Sequence, residues 1–202
     1  MFKLWNKSVK GRVLAAVGSL ALLCSSAGGS FGGAKAYLAV KTGQSQVKTV
    51  QGWKKFHSIP GSCSISLPSS PEHVKQIMPL SDEGHNLRYD VYVAAHERKA
   101  VYMLLVAQYP PFVNQAHADM SLESFLNGLI TQNPENKLIF ADLTEVQGYK
   151  ALDFFIEAKG NYFKGRAVMA DNNLYLLAME CDGKNYLEDH FSHFISSFEL
   201  KK

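Results

Sequence analysis

The sequence predicts an α+β domain whose sheet is mainly antiparallel and is flanked by helices. Three strand-like runs follow one another from Ala151 to Cys181, separated by the turn residues Lys159–Asn161 and Asp171–Asn173. After the third run the apolar residues recur every three or four positions, as on one face of a helix. Because strands here follow strands and do not alternate with helices, hairpin connections and an antiparallel sheet are expected.

The first element of the domain follows Trp53. His57–Gly61 has the composition of a turn, and Ser62–Pro68 alternates polar and apolar residues. We therefore predict a strand whose buried face carries Cys63, Ile65 and Leu67. Pro71–Met78 is closed by Pro79, and we interpret it as a short segment of up to one helical turn.

A hairpin is predicted next. Leu87–Ala95 and Ala100–Tyr109 are its strands, and the charged tip His96–Lys99 joins them. The hairpin region is rich in aromatic side chains, which are Tyr89, Tyr92, Tyr102, Tyr109 and Phe112. Two interpretations stand for these five residues: packing in the core, and a contact surface or groove for a ligand or peptide.

The second half of the chain predicts two helices and four strands. Asp119–Ser121 supplies a helix cap, and Asn133–Pro134 ends that helix. Lys137–Val146 returns as a strand, and the later run Leu174–Cys181 is nearly all apolar, which predicts a central strand covered on both faces. The last helix begins near Tyr186. Its predicted buried stripe comprises Leu187, Phe191, Phe194, Ile195 and Phe198.

Residues 1–36 have the pattern of an export signal or of a membrane anchor. Four basic residues and no acid precede Val13, an apolar run follows to Cys24, and small residues follow to Gly33. The stretch from Val13 to Ala34 carries no charge and is also long enough to span a bilayer as an uncleaved helix. The sequence leaves both interpretations open, and both carry the rest of the chain out of the cytoplasm.

The charge and length of the chain after residue 36 indicate which partners and how many domains to expect. The whole chain has 21 basic and 18 acidic residues, and the four basic residues before Val13, in the segment 1–36 that we call the leader, account for the surplus. The rest therefore has no basic footprint, and no nucleic-acid partner is predicted. Residues 37–52 are polar and are predicted to be a linker. Residues 53–202 are long enough for one domain with its own core.

Two cysteines, Cys63 and Cys181, fall in predicted strands. In an oxidising compartment such residues can pair, so a Cys63–Cys181 disulfide is one interpretation. The other is two buried free thiols, because free cysteine is among the most buried residue types. Neither cysteine belongs to a C-x-x-C pair that would indicate zinc or redox chemistry.

Candidate chemical sites are few. His190 and His193 lie one turn apart on the last helix and are weak candidates for metal ligands, with a solvated helix face as the alternative. Cys63 could act as a nucleophile if the fold brings a histidine beside it. The sequence contains no phosphate-binding loop and no zinc-protease motif, and no cofactor is predicted.

The order of these segments is similar to that of a known family. An early strand ends in ISLP, and VQGYKALDFFIEA is followed by GNYFKGRAVMADNNLYLLAMEC and the closing HFSHFISSFEL. This pattern, from Phe56 to Leu200, resembles the Mog1/PsbP-like α/β/α sandwich domains, including small exported bacterial relatives. The resemblance implies a role in binding or assembly and implies no set of functional residues. The two cysteines and the short Pro71–Pro79 segment depart from it.

The sequence therefore predicts a non-catalytic, exported binding or assembly domain at the bacterial cell envelope, periplasmic or anchored in the inner membrane. A protein partner is expected, with the sheet face and the first hairpin as its contact surface. The membrane would be contacted through residues 1–36 if they are not cleaved. The alternative is a small hydrolase or thiol enzyme that uses Cys63 with a histidine.

Overall fold

A computed structural model describes residues 50–79 and 84–201. The predicted signal or anchor and most of the predicted linker lie outside these residues. Within these residues there are two α-helices, α1 (Ala118–Thr131) and α2 (Glu188–Ser196). The strands are β1 (Lys54–Ser58), β2 (Cys63–Leu67), β3 (Glu72–Pro79), β4 (Asn86–His96), β5 (Ala100–Gln108), β6 (Lys137–Val146), β7 (Tyr149–Ala158), β8 (Asn161–Ala170), β9 (Asn173–Asp182) and β10 (Glu199–Leu200).

Seven strands form one antiparallel sheet in the order β3-β4-β5-β9-β8-β7-β6. A smaller sheet has the order β1-β2-β10. The middle strand of the large sheet is β9, and its residues from Leu174 to Met179 are all buried. The sequence-based prediction of a central strand covered on both faces is thus confirmed. Successive strands β6 to β9 pair as hairpins, as the turn residues between them predict.

One face of the large sheet packs against α1. Leu122, Phe125 and Leu129 project from the helix onto this face and are buried. Alternate residues of the strands meet them, among them Leu105 and Phe154. Phe125 and Phe154 form an edge-to-face pair with ring centroids 6.0 Å apart. The amphipathic stripe of α1 therefore accounts for this half of the core.

The other face packs against α2 together with the small sheet. Phe191 and Phe194 come from the helix and Phe198 from the residues just after it, and all three are buried. The small sheet contributes Cys63, Ile65 and Leu67, as the alternation of that strand predicts. Leu187, predicted to belong to the same stripe, precedes the helix and is 50% exposed. The architecture is therefore α1, then the large sheet, then α2 with the small sheet.

Three strands differ from the sequence-based expectation. The predicted helical turn in Pro71–Met78 is wrong, because β3 pairs with β4 from Glu72 to Pro79. This strand lies at the edge of the sheet and is mostly exposed, so it lacks the alternation that marks a half-buried strand. Neither β1 nor β10 was predicted, because both are short and are ordered by pairing with β2.

No helix within the described part of the chain is long and apolar enough to cross a membrane.

Candidate functional site

The tyrosines of the first hairpin belong to the core. Tyr89, Tyr92, Tyr102 and Tyr109 are each at most 5% exposed, so the predicted contact surface is wrong for these four residues. The physical reason is that α1 covers one face of the sheet and α2 with the small sheet covers the other, so neither side of the hairpin is left open. Phe112 is the exception. It is 54% exposed and makes an edge contact with His85, with ring centroids 5.1 Å apart.

Cys63 and Cys181 are free and buried, so the disulfide interpretation is not supported. Strand geometry gives the reason. Tyr175 Oη donates a hydrogen bond of 2.9 Å to the carbonyl oxygen of Gly61, which places the β2 end of the small sheet over Tyr175. Cys181 lies six residues further along β9, about 20 Å away. A disulfide needs Cα atoms within about 7 Å.

The environment of Cys63 also argues against the thiol-enzyme alternative. The side chain is fully buried, and burial raises the pKa of its thiol to about 12, against a smaller lowering effect of the Ser58 hydrogen bond. A nucleophilic cysteine needs a lowered pKa and an accessible thiolate. Its nearest histidine in sequence, His57, pairs with Ser64 and therefore projects from the opposite face of the small sheet. His57 is therefore not placed to act as a base for this thiol.

Both buried thiols should be unreactive until the protein unfolds. In a full chain carrying Cys24→Ser, we expect almost no reaction of the folded protein with a chromogenic thiol reagent, because burial raises the pKa of Cys63 to about 12 and of Cys181 to about 11. After denaturation without reductant, both cysteines should react. Two missing thiols after denaturation would reveal a disulfide, and rapid reaction of the folded protein would reveal an accessible thiol.

His190 and His193 lie against an aromatic residue. Both belong to α2, and their rings make edge contacts with Trp53, at centroid distances of 5.8 Å and 5.4 Å. His96, the last residue of β4, lies 5.0 Å from His190 and 6.1 Å from Trp53. Beneath them, Tyr102 packs edge-on against Trp53 at 4.7 Å. We call Trp53, His96, His190 and His193 the Trp53 cluster.

The polar atoms of this cluster are poorly satisfied. Trp53 Nε1 and His190 Nδ1 are buried and have no hydrogen-bond partner among the residues described. Burial lowers the pKa of both His190 and His193. His190 and His193 do share a helix face, as the sequence predicts, but that face packs against Trp53. Within residues 50–79 and 84–201, no group of three His, Cys, Asp or Glu side chains is placed to hold a metal ion.

A lysine enclosed by aromatic rings lies on the α2 side of the large sheet. Lys164 Nζ lies 4.6–5.9 Å from four ring centroids. The rings belong to Phe140, Phe155, Tyr186 and Phe191. Lys164 Nζ also donates hydrogen bonds to Tyr186 Oη at 2.7 Å and to the Glu188 carboxylate at 2.9 Å and 3.1 Å. These contacts compensate the burial of the ammonium group and tie the start of α2 to β8.

Two hollows open on the surface. The smaller, about 110 Å³, lies beside the end of α1 and is lined by residues that include Leu129, Ile156 and Phe163. It is below the size of a pocket for a drug-sized ligand. The larger, about 340 Å³, has charged walls of both signs, and its Lys184 and Asp182 form an ion pair of 3.2 Å. Cys181 also lines the larger hollow, but its side chain is only 4% exposed and burial raises the pKa of its thiol to about 11, which opposes nucleophilic chemistry there.

The outermost strands of the large sheet, β3 and β6, each have one exposed edge. Among the strands described, β3 pairs only with β4, and β6 pairs only with β7. Three large apolar residues of β6 project into solvent: Leu138 (42% exposed), Ile139 (53%) and Leu143 (53%). The pairing of β6 with β7 shifts by one residue between Leu138 and Phe140, which is a β-bulge. Sequence alone does not reveal an edge, because the pairing order of strands is a long-range property.

Comparison with known proteins agrees with this architecture. No model of a protein family matches the chain, and no curated protein sequence matches it. The fold is similar to the solution structure of cyanobacterial PsbP (CyanoP) from Synechocystis, with a TM-score of 0.52 and 12% sequence identity, covering 79% of this chain and 98% of that one. A crystal structure of a Bacteroides thetaiotaomicron protein has a TM-score of 0.39 and 10% identity, covering 75% of this chain and 50% of that one.

The chain therefore has a PsbP-like α+β fold, and the resemblance that the sequence indicates is confirmed at the level of the fold. At 12% identity the similarity extends to the fold alone.

Proposed function

We propose that this chain is a non-catalytic binding domain, exported to the bacterial cell envelope, that holds a protein partner along the outer edge of β6. The main support for this proposal is that three apolar residues of this one edge strand are exposed: Leu138, Ile139 and Leu143. Exposed apolar side chains on an unpaired edge strand favour association with another chain, and monomeric proteins commonly avoid such strands.

Coverage of the sheet faces supports an edge as the binding surface. One face is packed against α1, and the other against α2 and the small sheet, so the face proposed from the sequence is not open. The edge of β6 presents backbone N–H and C=O groups that a partner strand can bond. The regular part of the strand, Phe140–Val146, follows the bulge and is long enough for several such bonds.

The side chains of β6 indicate the chemistry of the partner segment. Lys137 and Glu145 lie near the two ends of the strand, and between them lie the exposed apolar residues and one exposed carboxylate, that of Asp142. An extended segment with an apolar centre and opposite charges at its ends would complement this edge. Main-chain hydrogen bonds would supply affinity, and alternate side chains would supply specificity. The other edge, β3, exposes Val74 and Ile77 but ends in Pro79 and carries Lys75, features that discourage added strands.

The proposed location is supported by the leader. Its basic start, apolar run and small residues are the pattern of exported proteins. The non-catalytic role is supported by the buried Cys63 thiol, whose raised pKa opposes nucleophilic chemistry.

A charged substitution on the β6 edge should abolish partner binding. We expect the full chain carrying Leu143→Lys to recover the partner from solubilised envelopes at least about tenfold less than the parent, because a buried ammonium opposes the apolar contact. The measurement is quantitative mass spectrometry after affinity purification. Recovery should be followed for a single protein that the parent retains at a defined stoichiometry.

The matched control is Ile59→Lys, which places the same charge on an apolar residue that is 88% exposed in a turn away from β6. It should bind as the parent does. Equal recovery with Leu143→Lys and the parent would exclude the β6 edge. Equal losses in both variants would show a general charge effect.

A further inference from the structure

The Trp53 cluster joins the beginning of the domain to its last helix. Trp53 stands one residue before β1, at the start of the described domain, whereas His190 and His193 belong to α2 near its end. His96 closes the cluster from the end of β4. Three segments that are distant in sequence therefore meet on one indole ring, and titratable imidazoles make most of the polar contact.

We propose that the Trp53 cluster is a pH-sensitive clasp that holds the N-terminal end of the domain on α2 while its histidines are neutral and releases it when they are protonated. This inference does not depend on the proposed function, because it concerns a contact within the chain.

Hydrogen bonding favours the neutral form. His190 Nδ1 is buried and has no partner among the described residues, and the same holds for Trp53 Nε1. A protonated imidazole donates from both ring nitrogens, so protonation would place an N–H at Nδ1 with no acceptor in the closed cluster. Opening would return both atoms to water. The closed state therefore favours the neutral form of His190.

Electrostatic repulsion between the histidines also favours their neutral forms in the closed state. His96 and His190 lie 5.0 Å apart, so two positive rings would repel each other. Burial lowers the pKa of His190, and His96 and His193 lower it further, whereas Asp189 and Glu97 act to raise it. Burial also lowers the pKa of His193.

Two neighbouring carboxylates, Glu97 and Asp189, act against this effect, but burial and the other histidines outweigh them at His190. Glu97, in the turn after β4, accepts a hydrogen bond from Lys99 at 2.8 Å, so part of its charge is already compensated. Tyr102, below Trp53 on β5, is buried, and burial raises the pKa of its hydroxyl, so it stays neutral. Asp189 belongs to the first turn of α2, and Lys54, next to Trp53, is exposed.

The pH dependence follows from the direction of these shifts. In the open state His190 and His193 regain their ordinary pKa of about 6.5, and in the closed state the pKa values of both are lower. The open state therefore binds protons first as the pH falls. The clasp is fully stabilising above about pH 6.5 and weakens as the pH falls through the lowered pKa values.

The fluorescence of Trp53 tests the proposal directly. The chain has two tryptophans, so the full chain carrying Trp5→Phe reports Trp53 alone. Between pH 8 and pH 4.5 we expect the emission maximum to shift to the red and acrylamide quenching to rise at least about twofold, with a midpoint below about 6.5. Far-UV circular dichroism should stay constant, because only the clasp opens.

Variants separate the clasp from general acid effects. His190→Gln with His193→Gln, in the same background, should remove the transition, because glutamine cannot take up a proton. His193→Gln alone should shift its midpoint and serves if the double variant does not fold. His117→Gln, at an exposed position outside the cluster, should leave the transition unchanged.

Three results would overturn the proposal. One is a Trp53 signal that stays constant over the whole pH range. Another is an unchanged transition in the folded His190→Gln, His193→Gln variant. The third is a shift of the emission to the blue with less quenching as the pH falls, which would mean that protonated histidines bind the indole more tightly through a cation–π contact.

Discussion

Replacing Phe194 by alanine is expected to lower the free energy of unfolding by about 3–5 kcal/mol. Phe194 is fully buried between α2 and the large sheet, and its ring lies 5.2 Å from that of Tyr102 in an edge-to-face contact. Truncation would remove apolar contact and leave a cavity beneath the helix. Because a domain of ordinary size is stable by about 5–15 kcal/mol, this loss is a large share of the total.

Chemical denaturation of the full chain, followed by far-UV circular dichroism, measures this effect. The control is Leu187→Ala, which removes an aliphatic side chain that is 50% exposed just before the same helix. Its effect should stay within about 0.5 kcal/mol, as for most surface substitutions. Similar stability of the Phe194→Ala variant and the parent would show that α2 does not seal this face of the sheet.

The contrast between Phe194 and Leu187 shows what periodicity can predict. Both lie on the apolar stripe read from the sequence, and a helix that began at Leu187 would bury both. The structure starts α2 at Glu188, where Lys164 and Tyr186 contact the Glu188 side chain, and Leu187 remains extended. Burial alone would raise the pKa of Glu188, but hydrogen bonds from Tyr186 and Lys164 lower it. The contact of Lys164 on β8 with Glu188 thus lies at the first residue of α2. The apolar pattern alone does not determine where this helix begins.

Buried strands were predictable because their composition reports burial. Leu174–Cys181 is almost wholly apolar, and it lies in the middle of the large sheet. Edge strands lack that signal. The exposed strand β3 carries several polar side chains and has a proline at each border, so its sequence is equally compatible with a loop or a helical turn. Only the pairing with β4, which is a long-range interaction, makes it a strand.

The candidate sites were less predictable than the fold. The aromatic residues of the first hairpin suggest either core or contact surface, and the decision depends on whether both sheet faces are covered. Tyr89 lies on the sheet face that packs against α1, and Tyr92 lies on the face that packs against α2 and the small sheet. Both are therefore core residues. The Trp53 cluster was not predicted at all. His190 and His193 share a helix face in the sequence, but the approach of Trp53 and His96 depends on tertiary packing.

Packing on both faces also limits where a PsbP-like domain of this kind can bind. A sheet with one open face could offer a broad surface, whereas this one leaves its edges, its loops and hollows such as the one beside α1 and the one beside β9. Among these, β6 combines unpaired backbone groups with three exposed apolar side chains. The binding proposal therefore follows from the layer architecture as much as from the residues of β6 themselves.

Replacing both Leu20 and Leu22 by arginine is expected to keep the protein in the cytoplasm. Both leucines lie in the uncharged run from Val13 to Ala34, and an arginine at the centre of such a run costs about 2.5–3.5 kcal/mol on the insertion scale. Two of them should prevent recognition of the run both as a cleaved signal and as an anchor. Alkaline phosphatase fused after Lys202 reports the result in a bacterial host, because the enzyme is active only outside the cytoplasm.

The parent fusion should be active, and the double variant should fall to the background level. The control places two arginines in the domain instead, by Ile59→Arg and Met120→Arg, at apolar residues that are 88% and 62% exposed. Its activity should match the parent's, because the leader is intact and the core is untouched. Full activity of the Leu20→Arg, Leu22→Arg fusion would show that the apolar run does not direct export. If it does direct export, the mass of the exported parent distinguishes a cleaved signal from a retained anchor, since cleavage removes the residues that would otherwise hold the domain at the membrane.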